Sequence, residues 1–139
     1  MAHQAGVDTR DPKNFAAARQ AIEASFPEEV AFLRAMPTIL RSDQYLFVHG
    51  GVPREERLEE LPARACMKND NFLSQGHAFR RWVIVGHWPV TLYRKDIPSA
   101  KPLLLPDRHI ASIDGGCSLK ADGQLNALIL PREPGGDFR

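Results

Sequence analysis

Residues 82–90 read WVIVGHWPV. Four consecutive apolar residues, Trp82–Val85, stop abruptly at Gly86-His87. An apolar run this short, closed by glycine, has the length and character of a strand buried on both faces. Residues 46–53, LFVHGGVP, have the same build, with His49 standing 38 residues before His87. A third run, His109–Ile113, closes on Asp114-Gly115-Gly116. In open α/β sheets, ligands gather where strands end, because loops there project side chains from a rigid base. Three such endings in one chain predict an α/β fold with a site at strand termini.

Upstream, Asn14–Ala24 (NFAAARQAIEA) is rich in alanine and good helix formers, with Asn14 placed to cap it. A second helix is predicted from Pro27, since proline suits a first turn and Glu28 and Glu29 suit the positive helix end. Its apolar residues Val30, Leu33 and Met36 recur at helical spacing and are expected in a core, and Pro37 ends it. Thr38–Arg41 and Gln44–Val48 read as strands joined by a turn at Ser42-Asp43. Residues 53–81 are charged and irregular, with a short helix around Arg57–Leu61. A polar stretch through Pro98, Pro102 and Pro106 precedes the third apolar run. Leu125–Leu130 reads as a further strand entered from the tight-turn signal Asp122-Gly123 and stopped by Pro131. Residues 1–12 and 132–139 read as loose ends around one domain.

The chain has 139 residues, and 18 Lys+Arg against 17 Asp+Glu give a formal net charge of +1. A chain near this length buries about 70% of its unfolded surface, which fits one domain. Balanced charge carries no electrostatic footprint for nucleic acid or an anionic membrane. No apolar stretch approaches the roughly 20 residues needed to span a bilayer, and MAHQAGVDTR contains no signal-type apolar segment. Cys66 and Cys117 lack metal or redox spacing, so unpaired thiols and a cytoplasmic setting are expected.

His49 and His87 occupy matched settings, each where an apolar run ends beside glycine. An imidazole so placed can offer one neutral nitrogen to a metal while a neighbour fixes the other. A single strand-end histidine is more often a packing residue. His3, His77 and His109 lack the matched setting and read as surface or packing residues. The charge run Arg54–Glu60 and the pair Arg80-Arg81 read as solvated.

Taken in order, LFVHGGVP, VIVGHWPV and IASIDGGCSLKADGQLNALIL, with the lead-in FPEEVAFLRAMPTIL, resemble the C-terminal half of the calcineurin-like metallophosphoesterases. The likeness is greatest to the phosphoprotein phosphatase branch, which includes bacterial Ser/Thr phosphatases and diadenosine tetraphosphatases. There the segments read as a strand ending Val-His-Ala/Gly-Gly, a strand ending Gly-His-Thr-Pro, and a strand Ile-Asp-Thr-Gly. The resemblance covers roughly residues 25–131.

The resemblance implies a metallophosphoesterase-type α/β sandwich with helices outside mixed sheets, of which residues 1–139 form only the C-terminal portion. It implies that His49 and His87 are ligands of the same metal in a dinuclear site holding two divalent ions of Mn, Fe or Zn. In the segment CMKNDNF, Lys68 stands nearest to the family's phosphate-holding arginine, as a point charge rather than a bidentate fork. Trp88 replaces the usual threonine, and Asp114 falls in a structural turn. The implied activity is hydrolysis of phosphate monoesters, in phosphoproteins or small phosphoesters, or of a phosphoanhydride.

The family's N-terminal motifs Gly-Asp-x-His-Gly, Gly-Asp-x-x-Asp-Arg-Gly and Gly-Asn-His-Glu do not occur in these residues. They would supply the bridging aspartate, the asparagine ligand and the general-acid histidine, so no catalytic residue is assigned here. Two histidines alone cannot hold a dinuclear site. The chain is therefore expected to act as part of an intact enzyme with a missing N-terminal half, or as a non-catalytic binding or structural remnant of the fold. Half a fold would also leave an apolar face uncovered and favour a homo-oligomer.

Overall fold

A computed structural model describes residues 4–6, 8, 10–94, 99–119, 121–133, 136 and 138. His3 and Pro98, read above from sequence, lie outside these residues. The chain divides into two compact units, Met1–Pro37 and Thr38–Arg139.

The first unit holds two helices. Asp11 accepts a hydrogen bond from the Lys13 backbone N–H and opens a single 3-10 turn, Pro12–Asn14. Asn14 ends that turn and makes no side-chain cap, so the expected capping role passes to Asp11. Helix α1, Phe15–Ser25, breaks at Phe26, and Pro27 starts helix α2, Pro27–Ala35. Arg19 and Arg34 both donate to Glu23, an exposed clasp between the helices. The expected core of α2 is not formed. Leu33 is 54% and Met36 55% exposed, Val30 is half-buried, and Ala18 is the one buried residue of the two helices. Two short helices bury Ala18 and leave Ile22 and Val30 half-buried, too little apolar surface for a core of their own.

The second unit is built on a five-stranded mixed sheet, so the general α/β class holds. Its strands are β1 Ile39–Arg41, β2 Tyr45–Val48, β3 Trp82–Val85, β4 Leu103–Leu105 and β5 Ile110–Ser112. The order is β1-β2-β3-β5-β4, with β2, β3 and β5 parallel and the two edge strands antiparallel. Parallel central strands explain the unbroken apolar runs, because both faces are covered. On one face Leu46, Val48, Val83, Val85 and Ile110 pack under Val52, Leu58, Cys66, Phe72, Leu73 and Phe79 from the irregular segment. On the other, Tyr45, Ile84 and Ala111 meet Leu128, Leu130 and Phe138, the last set edge-on to Trp82 with ring centroids 4.4 Å apart.

Three expectations need correction. Leu125–Leu130 forms no strand among the described residues: it alternates, with Leu125 86% and Ile129 68% exposed and Leu128 and Leu130 packed. The segment crosses the sheet face instead of extending its edge, and the same alternation serves that purpose. Leu103–Leu105, passed over within the proline-rich stretch, is an edge strand, where flanking Pro102 and Pro106 cost no ladder bonds. Arg81 is not solvated. Its backbone N–H donates to Glu55 at 2.6 Å and its guanidinium lies 3.4 Å from the same carboxylate, both side chains largely buried. Arg80, by contrast, is 76% exposed.

Ser112, 1% exposed at the end of β5, has a hydroxyl with no hydrogen-bond partner among the described residues. An unpaired buried hydroxyl carries a desolvation cost, so Ser112→Ala is expected to stabilise the protein by about 1 kcal/mol. Urea unfolding checks this, and a loss of stability would show that the hydroxyl is partnered. No described helix is long and apolar enough to cross a membrane.

Candidate functional site

Parallel pairing gathers the strand endings. Val48 is in register with Val85, and Val85 with Ser112, so the C-terminal ends of β2, β3 and β5 lie side by side. His49 follows β2 directly, His87 follows β3 by two residues, and Asp114 follows β5 by two.

The two imidazoles meet there. His49 Nε2 lies 3.1 Å from His87 Nδ1, with ring centroids 4.9 Å apart. Gly86 runs close beside His49 and donates its N–H to the His49 carbonyl at 3.0 Å. His87 itself has φ +66°, and the Trp88 N–H closes onto the Gly86 carbonyl at 2.8 Å around it. A left-handed, non-glycine residue in a three-residue turn is strained by about 1–3 kcal/mol. Such strain concentrates where a side chain must be aimed.

The far nitrogen of His87 is held too: Nε2 lies 2.6 Å from Asp70 Oδ1. A carboxylate only accepts, so Nε2 carries a proton; in the neutral ring Nδ1 then presents a lone pair, and His49 Nε2–H is the donor across the 3.1 Å contact. Partial withdrawal from water holds the His49 pKa below the ordinary histidine value. The charges of His87 and Lys68 act in the same direction, and Asp114 opposes them.

Lys68 arrives by a backbone contact. The short helix α3, Ala63–Met67, ends where the Gly50 N–H donates to the Cys66 carbonyl at 2.6 Å. A Cβ on Gly50 would stand 2.9 Å from that carbonyl and 3.0 Å from the Asn69 nitrogen, so glycine permits the approach. Lys68 is exposed, its charge is felt at His49, and its ammonium makes no ion pair among the described residues. Asp114 accepts from the Gly116 N–H at 2.8 Å, while its carbonyl accepts from the Val90 N–H at 2.8 Å. Its turn role is structural. His77 contacts Gln75, and His109 Nδ1 lies 2.7 Å from the Phe79 carbonyl, both away from this edge. Burial pushes the Cys66 thiol up, and Cys117 is exposed.

Asp70 is the residue that sequence reasoning missed. An acidic residue in an irregular polar stretch has no periodicity to mark it. Only the packing of Phe72 beneath Gly51, which folds the segment back over the sheet, brings it to His87.

The donor set suits a divalent ion in kind. Two nitrogens sharing a tetrahedral zinc at Zn–N near 2.05 Å would stand about 3.3 Å apart, close to the 3.1 Å found. In number it is short: among the described residues, no group of three or more His, Cys, Asp or Glu side chains could hold a metal ion. Cavities of about 400 Å³ beside Ile39 and Leu58, and of about 710 Å³ beside Tyr45 and Trp82, are lined by other residues. The histidines stand beyond the C-terminal ends of two interior strands, His49 exposed and His87 largely buried. No protein-family model, curated protein or solved structure matches this chain.

Proposed function

We propose that this chain carries the C-terminal part of a metallophosphoesterase active site, within an α/β sandwich of the calcineurin-like kind, acting on phosphate monoesters of the Ser/Thr phosphoprotein type. The observation that carries the reading is the convergence of His49 Nε2 and His87 Nδ1 to 3.1 Å at adjacent parallel strand ends. His49 and His87 would hold one divalent ion, Mn, Fe or Zn, with remaining ligands drawn from outside these residues. Such an ion supplies an activated water and polarises a phosphoryl oxygen. Lys68, exposed and close enough for its charge to act on His49, would offer a positive charge to a phosphate seated there.

The donor count favours a second reading for the chain by itself: a domain that binds through this edge without catalysis. Both readings are separated by titrating the protein with Zn and following the imidazole NMR signals, alongside p-nitrophenyl phosphate hydrolysis with Mn. Zn is expected to perturb His49 and His87 together, with affinity falling at least about 10-fold in His49→Ala. Binding without turnover supports the second reading for the isolated chain. No perturbation of either histidine at millimolar Zn would sink the metal-site reading.

A further inference from the structure

The geometry points to Asp70 as a positioning residue: its carboxylate holds the proton of the neutral His87 imidazole on Nε2 and so turns the Nδ1 lone pair toward His49. Its link to metal rests on the function proposed above; its effect on the ring does not. Three observations carry it. Asp70 Oδ1 lies 2.6 Å from Nε2, a short contact of the kind made to an ionised acceptor. His87 is largely buried, 11% exposed, so water does not compete freely for its nitrogens. The loop bearing Asp70 is itself held on two sides. Phe72, two residues on, is 1% exposed in the core, and the Tyr93 hydroxyl donates to the Asp70 carbonyl at 3.3 Å.

The opposite tautomer fails on this geometry. A proton on Nδ1 would leave the Nε2 lone pair facing a carboxylate oxygen at 2.6 Å, and two acceptors repel. The strained φ of His87 and the Asp70 contact therefore do one job together, the first setting where the ring starts and the second how it is turned. Since the Asp70 side chain is itself 56% exposed, replacing it leaves no buried void.

The test compares Asp70→Ala and Asp70→Asn with the native chain in the absence of metal. In the native protein, His87 should show an Nε2-bound proton protected from exchange in ¹H–¹⁵N NMR spectra. Asp70→Ala should lose that protection with little change in Tm, and Asp70→Asn, which keeps an acceptor oxygen, should retain most of it. With Zn added, Asp70→Ala should bind roughly 10–100-fold more weakly and Asp70→Asn should recover most of that loss. An Nδ1–H tautomer in the native protein, or protection untouched by Asp70→Ala, would overturn the proposal. Absence of Zn binding in the native chain would instead remove the metal-site reading and leave the tautomer result to decide the role of Asp70.

Discussion

Gly51→Ala is expected to lower stability by about 2–6 kcal/mol, the sum of backbone strain and overpacking at about 1–3 kcal/mol each. Gly51 has φ +115°, a conformation L side chains rarely adopt. A Cβ built there would also stand 2.8 Å from Phe72 Cε2 and closer to two other ring carbons. The ring cannot step aside easily, since Phe72 is 1% exposed and stacks on Phe79 with centroids 5.9 Å apart. For a protein of this size the midpoint should fall by about 6–24 °C. Thermal unfolding by circular dichroism measures it. A loss below about 1 kcal/mol would mean that the 49–52 segment does not take this path over the Phe72 ring.

Phe72→Ala is expected to cost about 3–5 kcal/mol, as for other buried phenylalanines. Phe72 is among the largest fully buried side chains, and it packs in the same core cluster as Val52, Leu73 and Phe79. Its loss should reach the strand edge as well, because it anchors the loop that carries Lys68 and Asp70. The protected His87 proton should weaken in Phe72→Ala even at temperatures where the protein remains folded. Combined with Gly51→Ala, the two losses should fall short of additive by about 0.5–3 kcal/mol, because removing the ring vacates the space the new methyl needs. The φ penalty at Gly51 should remain in the double variant. Full additivity in denaturant titrations would show that the two residues are not in contact.

Much of the sheet was legible because each central strand carries its own punctuation. Trp82–Val85 ends at Gly86, and Ile110–Ser112 lies within the run read from His109, so strand ends and the residues beyond them followed from local pattern. The pairing of His49 with His87 was legible as a juxtaposition, since adjacent parallel strands place equivalent endings together. What escaped were features that local pattern does not encode. Leu125–Leu130 has a strand's alternation but spends it on covering a face. The leucines at 103–105 were hidden between prolines that an edge strand tolerates. Val30, Leu33 and Met36 have the spacing of a core helix, yet spacing does not supply a partner. Arg81 and Asp70 are charged residues in irregular segments, and their partners Glu55 and His87 become neighbours only in the folded state.

The parallel arrangement of β2, β3 and β5 also sets when the edge comes into being. Val48, Val85 and Ser112 are ladder neighbours, though long stretches of chain separate them. Each closure must meet its loop entropy before any contact rewards it, and that cost rises with loop length. Such non-local pairing belongs to slower folders, on the order of milliseconds to seconds. The α1–α2 hairpin, whose contacts are local, can form far sooner and says nothing about the histidines. A His49–His87 contact exists only in molecules that have joined β2 to β3, so its appearance during refolding times the assembly of the central sheet, separately from the gain of helix.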